Sequence, residues 1–132
     1  MKQTTHKSEK EMFSFVKRAQ SFVHASHGIK VFIRTTHNAW IHIVVAIIAV
    51  WMGFHFAITS TEWMFLVMAI GFVLVTECVN TAFEFDIDLT SPQFHQFAKY
   101  TKDVAAGAVL IASVTAAIIG LIIFLPKIFF FS

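Results

Sequence analysis

From Val104 to Phe124 the chain carries no charged side chain at all. That is close to the roughly 20 residues an α-helix needs to cross the hydrocarbon core of a bilayer. No other feature constrains the fold as much. In lipid every backbone N–H and C=O must find its partner within the segment, so a span of this kind is helical. Two further apolar runs precede it. One covers about Ala39 to Ala57 and is interrupted by His42 near one end and His55 near the other. The next begins at Trp63, is free of charge to Val75, and then continues into polar residues as far as Asp88. With 57% hydrophobic residues and 16 phenylalanines in 132 positions, the composition lies outside the range of soluble domains. The expected fold is all-α: a single membrane domain over residues 1–132, with three transmembrane helices at about 39–57, 63–88 and 104–124. Residues 1–38 form a basic N-terminal region ahead of them.

That region has its own pattern. Phe15, Val16, Ala19, Phe22 and Val23 recur at helical spacing, with Lys17 and Arg18 off the stripe, which predicts an amphipathic helix lying on the membrane or on the protein's own spans. The first long apolar run begins only near Ala39, with no small-residue cleavage site after it, so the reading is not a signal peptide. Between the first two spans, Thr59-Ser60-Thr61 is available to cap a helix. Ser91-Pro92 breaks the polar segment Leu89 to Lys102, and Pro126-Lys127 is expected to close the third span. Cys78, the one cysteine, allows neither an intrachain disulfide nor a cysteine zinc site and is read as packing.

Charge asymmetry orients the spans. Lys2, Lys7, Lys10, Lys17, Arg18, Lys30 and Arg34 precede the first span, none lies in the first loop, and Lys99 and Lys102 lie in the second. This pattern predicts a cytoplasmic amino terminus and a cytoplasmic second loop. Glu62, in the outer loop, is then remote from any nucleotide. Along the third span Ala108, Ala112, Ala116 and Gly120 recur every fourth residue, a ridge of small side chains that permits close helix approach and favours assembly of several chains.

Glu77, Asn80, Glu84 and Asp88 are spaced by three, four and four and so share one stripe of the second span. Glu77 and Glu84 are roughly 10 Å apart along a helix, too far to share one proton. Glu77 is the deeper, beside Val73 and Leu74, and suits the role of proton acceptor. Glu84 is nearer to water, beside Asp86 and Asp88, and suits a hard cation such as magnesium. Across the second loop Lys102 offers a cation to phosphate and Asp103 another carboxylate. The alternative is a set of interfacial carboxylates in a non-catalytic membrane oligomer, a channel or scaffold subunit. A channel, however, needs ionisable groups through the membrane depth, whereas here they gather at one end. The chain has no Walker A loop and no G-x-G-x-x-G, and no nucleic-acid partner is expected.

The pattern Glu77-x-x-Asn80-Thr81-Ala82-x-Glu84-x-x-x-Asp88, followed by Ser91-Pro92-x-x-His95 and Lys102-Asp103-Val104-Ala105-Ala106-Gly107-Ala108-Val109-Leu110, resembles the prokaryotic diacylglycerol kinase and undecaprenol kinase family. The likeness extends from about Phe13 to Phe124 and takes in Gly28 and Asn38-x-x-x-His42. It implies a homotrimeric three-span lipid kinase of the bacterial inner membrane, using ATP and Mg2+ to phosphorylate the hydroxyl of a membrane lipid alcohol. Residue by residue, it implies that Glu77 is the catalytic base and that Asn80 orients substrate or phosphate. Glu84 would bind the magnesium nucleotide, with Asp88, Lys102 and Asp103 completing the nucleotide pocket. Thr36, Asn38 and His95 are further candidates for substrate or phosphate contact. The Asn-Thr-Ala form is more like the undecaprenol kinase branch. One departure stands out: many members of the family carry a metal-binding glutamate where this chain has Thr36.

Overall fold

The computed structural model describes residues 15–130, and within them the chain forms four α-helices joined by short connections. They are α1 (Phe15–Thr35), α2 (His37–His55), α3 (Ser60–Thr90) and α4 (Gln96–Phe130). Among the described residues, α2, α3 and α4 are long and apolar enough to cross a membrane. The helix α1 covers the amphipathic segment, and its stripe residues Phe15, Val16, Phe22 and Val23 are exposed. Lys2, Lys7 and Lys10, which contribute to the predicted orientation, lie outside the described residues.

Helices α3 and α4 form an antiparallel hairpin with the most extensive packing in the chain, and α2 packs on α3. Ion pairs mark both ends of the hairpin. Lys127 Nζ lies 3.0 Å from Glu62 Oε1 at one end, and Lys102 Nζ lies 2.5 Å from Asp88 Oδ1 at the other. A buried apolar cluster of Ile58, Leu66, Ile123 and Phe124 holds the first end together, with Met52, Trp63 and Ile119 packed around it. The predicted small-residue ridge is used unevenly. Ala112 is fully buried, Ala108 is exposed, and Ala116 and Gly120 line an apolar groove among α2, α3 and α4.

The turn from α2 to α3 is built from local chemistry. Ile58 N–H donates to Gly53 O at 3.1 Å and Ala57 N–H to Phe54 O at 3.2 Å, the paired bonds of a Schellman ending. Ala57 adopts φ 47°, the left-handed conformation that glycine takes more readily. Thr59 then caps α3, as its hydroxyl predicts. Thr59 Oγ1 accepts from Glu62 N–H at 3.3 Å while Glu62 Oε2 accepts from Thr59 N–H at 2.7 Å, completing a reciprocal capping box.

Three expectations from the sequence are corrected. The segment expected as a loop from Leu89 to Lys102 is helical from Gln96, eight residues ahead of the charge-free span; His95 Nδ1 accepts the Phe97 N–H at 3.3 Å and Lys99 pairs with Asp103 one turn on, at 2.7 Å. Lys99, Lys102 and Asp103 therefore lie on a helix rather than in a loop. At the other end Pro126 does not close α4, which continues to Phe130. Proline removes only the hydrogen bond to the Ile122 carbonyl, and the adjoining turns are held by Ile123 and Phe124 in the core and by the Lys127 ion pair. Cys78 is exposed rather than packed.

Candidate functional site

The stripe read from the sequence lies on the half of α3 beyond the apolar cluster. Its burial falls along the helix: Glu77 is 2% exposed and Asn80 7%, whereas Glu84 and Asp88 are exposed. Asn80 Nδ2 donates to Glu84 Oε1 at 2.9 Å, an i,i+4 contact along the helix. Glu77 Oε1 and Asn80 Oδ1 are both buried without a hydrogen-bond partner. Buried polar atoms are nearly always paired, and an orphaned acceptor costs the desolvation of that atom. Two such acceptors one turn apart make the deep end of the stripe a place where a donor is missing.

Beside this deep end, α3 and α4 enclose an apolar cleft of about 500 Å3, lined by Val75, Val79, Phe83, Tyr100 and Val104 and reaching Asn80. At the shallow end a second, more polar cup of about 280 Å3 gathers Asp88, His95, Lys99, Lys102 and Asp103 around the Ser91-Pro92 turn. Helix α3 stops at Thr90, just ahead of Pro92, and α4 starts three residues after Gln93, so four candidates distant in sequence come together there. Lys99 belongs to this group as well, beyond the candidates the sequence offers. Its i,i+4 spacing to Asp103 is the signal in the sequence, masked by the polarity of the segment around it.

Both lysines of the cup are held by carboxylates, Lys102 by Asp88 and Lys99 by Asp103. An incoming phosphate would exchange one oxyanion partner for another. These pairs are largely exposed, with side-chain exposures of 39% for Lys102 and 67% for Asp88, so they contribute little to stability and yield easily. His95 uses Nδ1 to cap α4. Asn38 is exposed on the first turn of α2. Thr36 sits between α1 and α2, and its Oγ1 lies 2.8 Å from Thr81 Oγ1 on α3.

Among the described residues no three of histidine, cysteine, aspartate and glutamate gather into a metal-binding group. The acceptors at the stripe are hard oxygens: the carboxylates of Glu77 and Glu84 and the buried Asn80 Oδ1. Magnesium takes one or two protein carboxylates and completes its shell with water and substrate phosphates. The donor set fits that ion in company with a nucleotide, with Glu84 as the accessible carboxylate.

Comparison with known proteins shows the family. The model of the prokaryotic diacylglycerol kinase family matches residues 23–124, a range that contains every candidate position. The chain is 43% identical over 108 residues to an undecaprenol kinase of Bacillus subtilis, covering 82% of this chain and 88% of that one. It is 34% identical over 107 residues to a diacylglycerol kinase of Synechocystis, covering 80% of this chain and 61% of the relative. A diacylglycerol kinase of Helicobacter pylori matches at 30% over 69 residues, 52% of this chain and 54% of the relative. The matched range takes in α2, α3 and most of α4, with both halves of the polar stripe, and the chain belongs to the prokaryotic diacylglycerol kinase family.

Proposed function

We propose that this protein is a membrane lipid kinase that transfers the γ-phosphate of ATP to the hydroxyl of a lipid alcohol, with undecaprenol the leading acceptor and diacylglycerol the second. The observation that carries the reading is the pair of buried, unpartnered acceptors one turn apart, Glu77 Oε1 and Asn80 Oδ1, with Asn80 lining an apolar cleft. A lipid hydroxyl is the donor such a place lacks, and the cleft accommodates the chain attached to it. The greater likeness to the undecaprenol kinase and the Asn80-Thr81-Ala82 sequence support the choice of acceptor.

In this reading Glu77 takes the hydroxyl proton as the lipid oxygen bonds to the γ-phosphorus. The bond from that phosphorus to the bridging oxygen breaks, and ADP leaves with the electron pair. Asn80 orients the acceptor, and its amide N–H steadies Glu84. Lys102 and Lys99 neutralise phosphate oxygens, with Asp88, His95 and Asp103 shaping the cup around them. Magnesium, when bound through Glu84, supplies charge neutralisation between the phosphates. Phosphoryl transfer of this type depends on positioning and electrostatics and needs no covalent enzyme intermediate. We place the amino terminus and the cup on the cytoplasmic side of the bacterial inner membrane, where ATP is, and expect a homotrimer. A general base contributes about 10²- to 10⁴-fold, so Glu77→Gln is expected to lower kcat by that order while nucleotide affinity is retained. Equal loss of nucleotide binding would remove Glu77 from the role of base.

A further inference from the structure

Thr36 is the one non-helical residue between α1 and α2, with φ −101° and ψ 106°. It occupies the N-cap position of α2, where threonine usually accepts a hydrogen bond from the helix's own backbone, yet its side chain makes no such cap. The hydroxyl reaches across to Thr81 Oγ1 on α3 at 2.8 Å. Thr81 Oγ1 in turn donates to the Glu77 carbonyl at 3.0 Å. A hydroxyl has one proton to give. With that of Thr81 committed to Glu77, Thr36 is the donor, and the chain runs in one direction from Thr36 through Thr81 to the backbone of Glu77. The elbow around Thr36 is itself tightly packed, with Phe32 7% and Ala39 0% exposed on its two sides. Further out, the apolar stripe of α1 is exposed, so the elbow is where the direction of α1 is set.

We propose that Thr36 is a positioning residue, tying the junction of the surface helix and the first span to the turn of α3 that carries Glu77, and so fixing α1 relative to the lipid acceptor. The proposal rests on the lipid kinase reading for its effect on the reaction but on geometry alone for the tie. It gives the threonine at this position a task different from that of the metal-binding glutamate the family resemblance would place there. Because Thr36 and Thr81 share one contact, their effects should not add.

The test uses the full chain in lipid vesicles, as wild type, Thr36→Val, Thr81→Val, the double variant and Thr36→Ser. Two readouts are taken: kcat and KM for the lipid alcohol across a magnesium series, and the spin-label distance between Ser26→Cys on α1 and Leu89→Cys on α3 in a Cys78→Ser background, with labelled chains diluted among unlabelled ones. Each valine variant is expected to lower kcat/KM for the lipid about tenfold, the order of one lost hydrogen bond. The double variant should be no worse than either, the serine variant should stay near wild type, and the magnesium dependence should be unchanged. The distance distribution should broaden in both valine variants. A rise in the magnesium requirement for Thr36→Val alone would overturn the proposal and make Thr36 a metal contact, and unchanged distances would overturn the tie. If wild type phosphorylates no lipid alcohol, the kinase reading fails while the distances still decide whether the tie exists.

Discussion

At the scale of single residues, the polar face of α3 separates into a buried acceptor pair and an exposed ion-pairing set. Glu77 and Asn80 were identifiable from the sequence because a helix repeats every 3.6 residues and the stripe continues out of an apolar run. The partners across the fold were not. Nothing in the spacing of Thr36 and Thr81, 45 residues apart, shows that their hydroxyls meet, and the Asp88 to Lys102 pair depends on how tightly the Ser91-Pro92 turn folds. Lys102→Met is expected to raise KM for ATP by about tenfold or more, since hydrogen bonds to charged groups contribute ~1.5–3 kcal/mol. Its melting temperature should stay close to wild type, because an exposed pair contributes about 1 kcal/mol at most. Steady-state kinetics alongside thermal unfolding separates the two effects. Glu84→Gln should instead raise the magnesium concentration needed for half-maximal rate, read from a magnesium titration at fixed ATP.

At the scale of elements, the helices were legible wherever apolar length decided the outcome and misread wherever local chemistry did. Thr59 signals the start of α3 through its own side chain and that of Glu62. Helix α4 starts eight residues ahead of the charge-free span, because the His95 cap and the Lys99 to Asp103 pair make a helix of the polar stretch from Gln96 to Asp103. Pro126 reads as a stop, yet the turns around it are anchored by tertiary contacts the sequence does not display. The α2 to α3 turn yields two opposite expectations. A Cβ on Gly53 would lie 2.7 Å from Trp63 Cη2 and 3.2 Å from Ile58 Cδ1, so Gly53→Ala should destabilise the chain by about 1–3 kcal/mol, as overpacking usually does. Ala57→Gly should raise the melting temperature, because left-handed backbone costs an alanine about 1 kcal/mol. Thermal unfolding of both variants in one detergent checks the pair.

At the scale of the molecule, three helices of membrane-spanning length place the apolar cluster and the polar stripe at opposite ends of one hairpin. The Glu62 to Lys127 clamp closes the end of the hairpin away from the candidate site. Helix α2 leaves most of its apolar surface uncovered within one chain, as a helix facing lipid or neighbouring copies would. Native mass spectrometry in mild detergent is expected to give a species of three chains. The reaction proposed for this chain places a lipid hydroxyl on the buried acceptors of α3 for phosphorylation. Its most direct test supplies purified protein in vesicles with magnesium and γ-labelled ATP, and follows the label into extracted undecaprenol and diacylglycerol for wild type and Glu77→Gln. Label is expected on the lipid, faster for undecaprenol, and about 10²- to 10⁴-fold slower in the variant; no transfer to any lipid alcohol by wild type would overturn the lipid kinase reading.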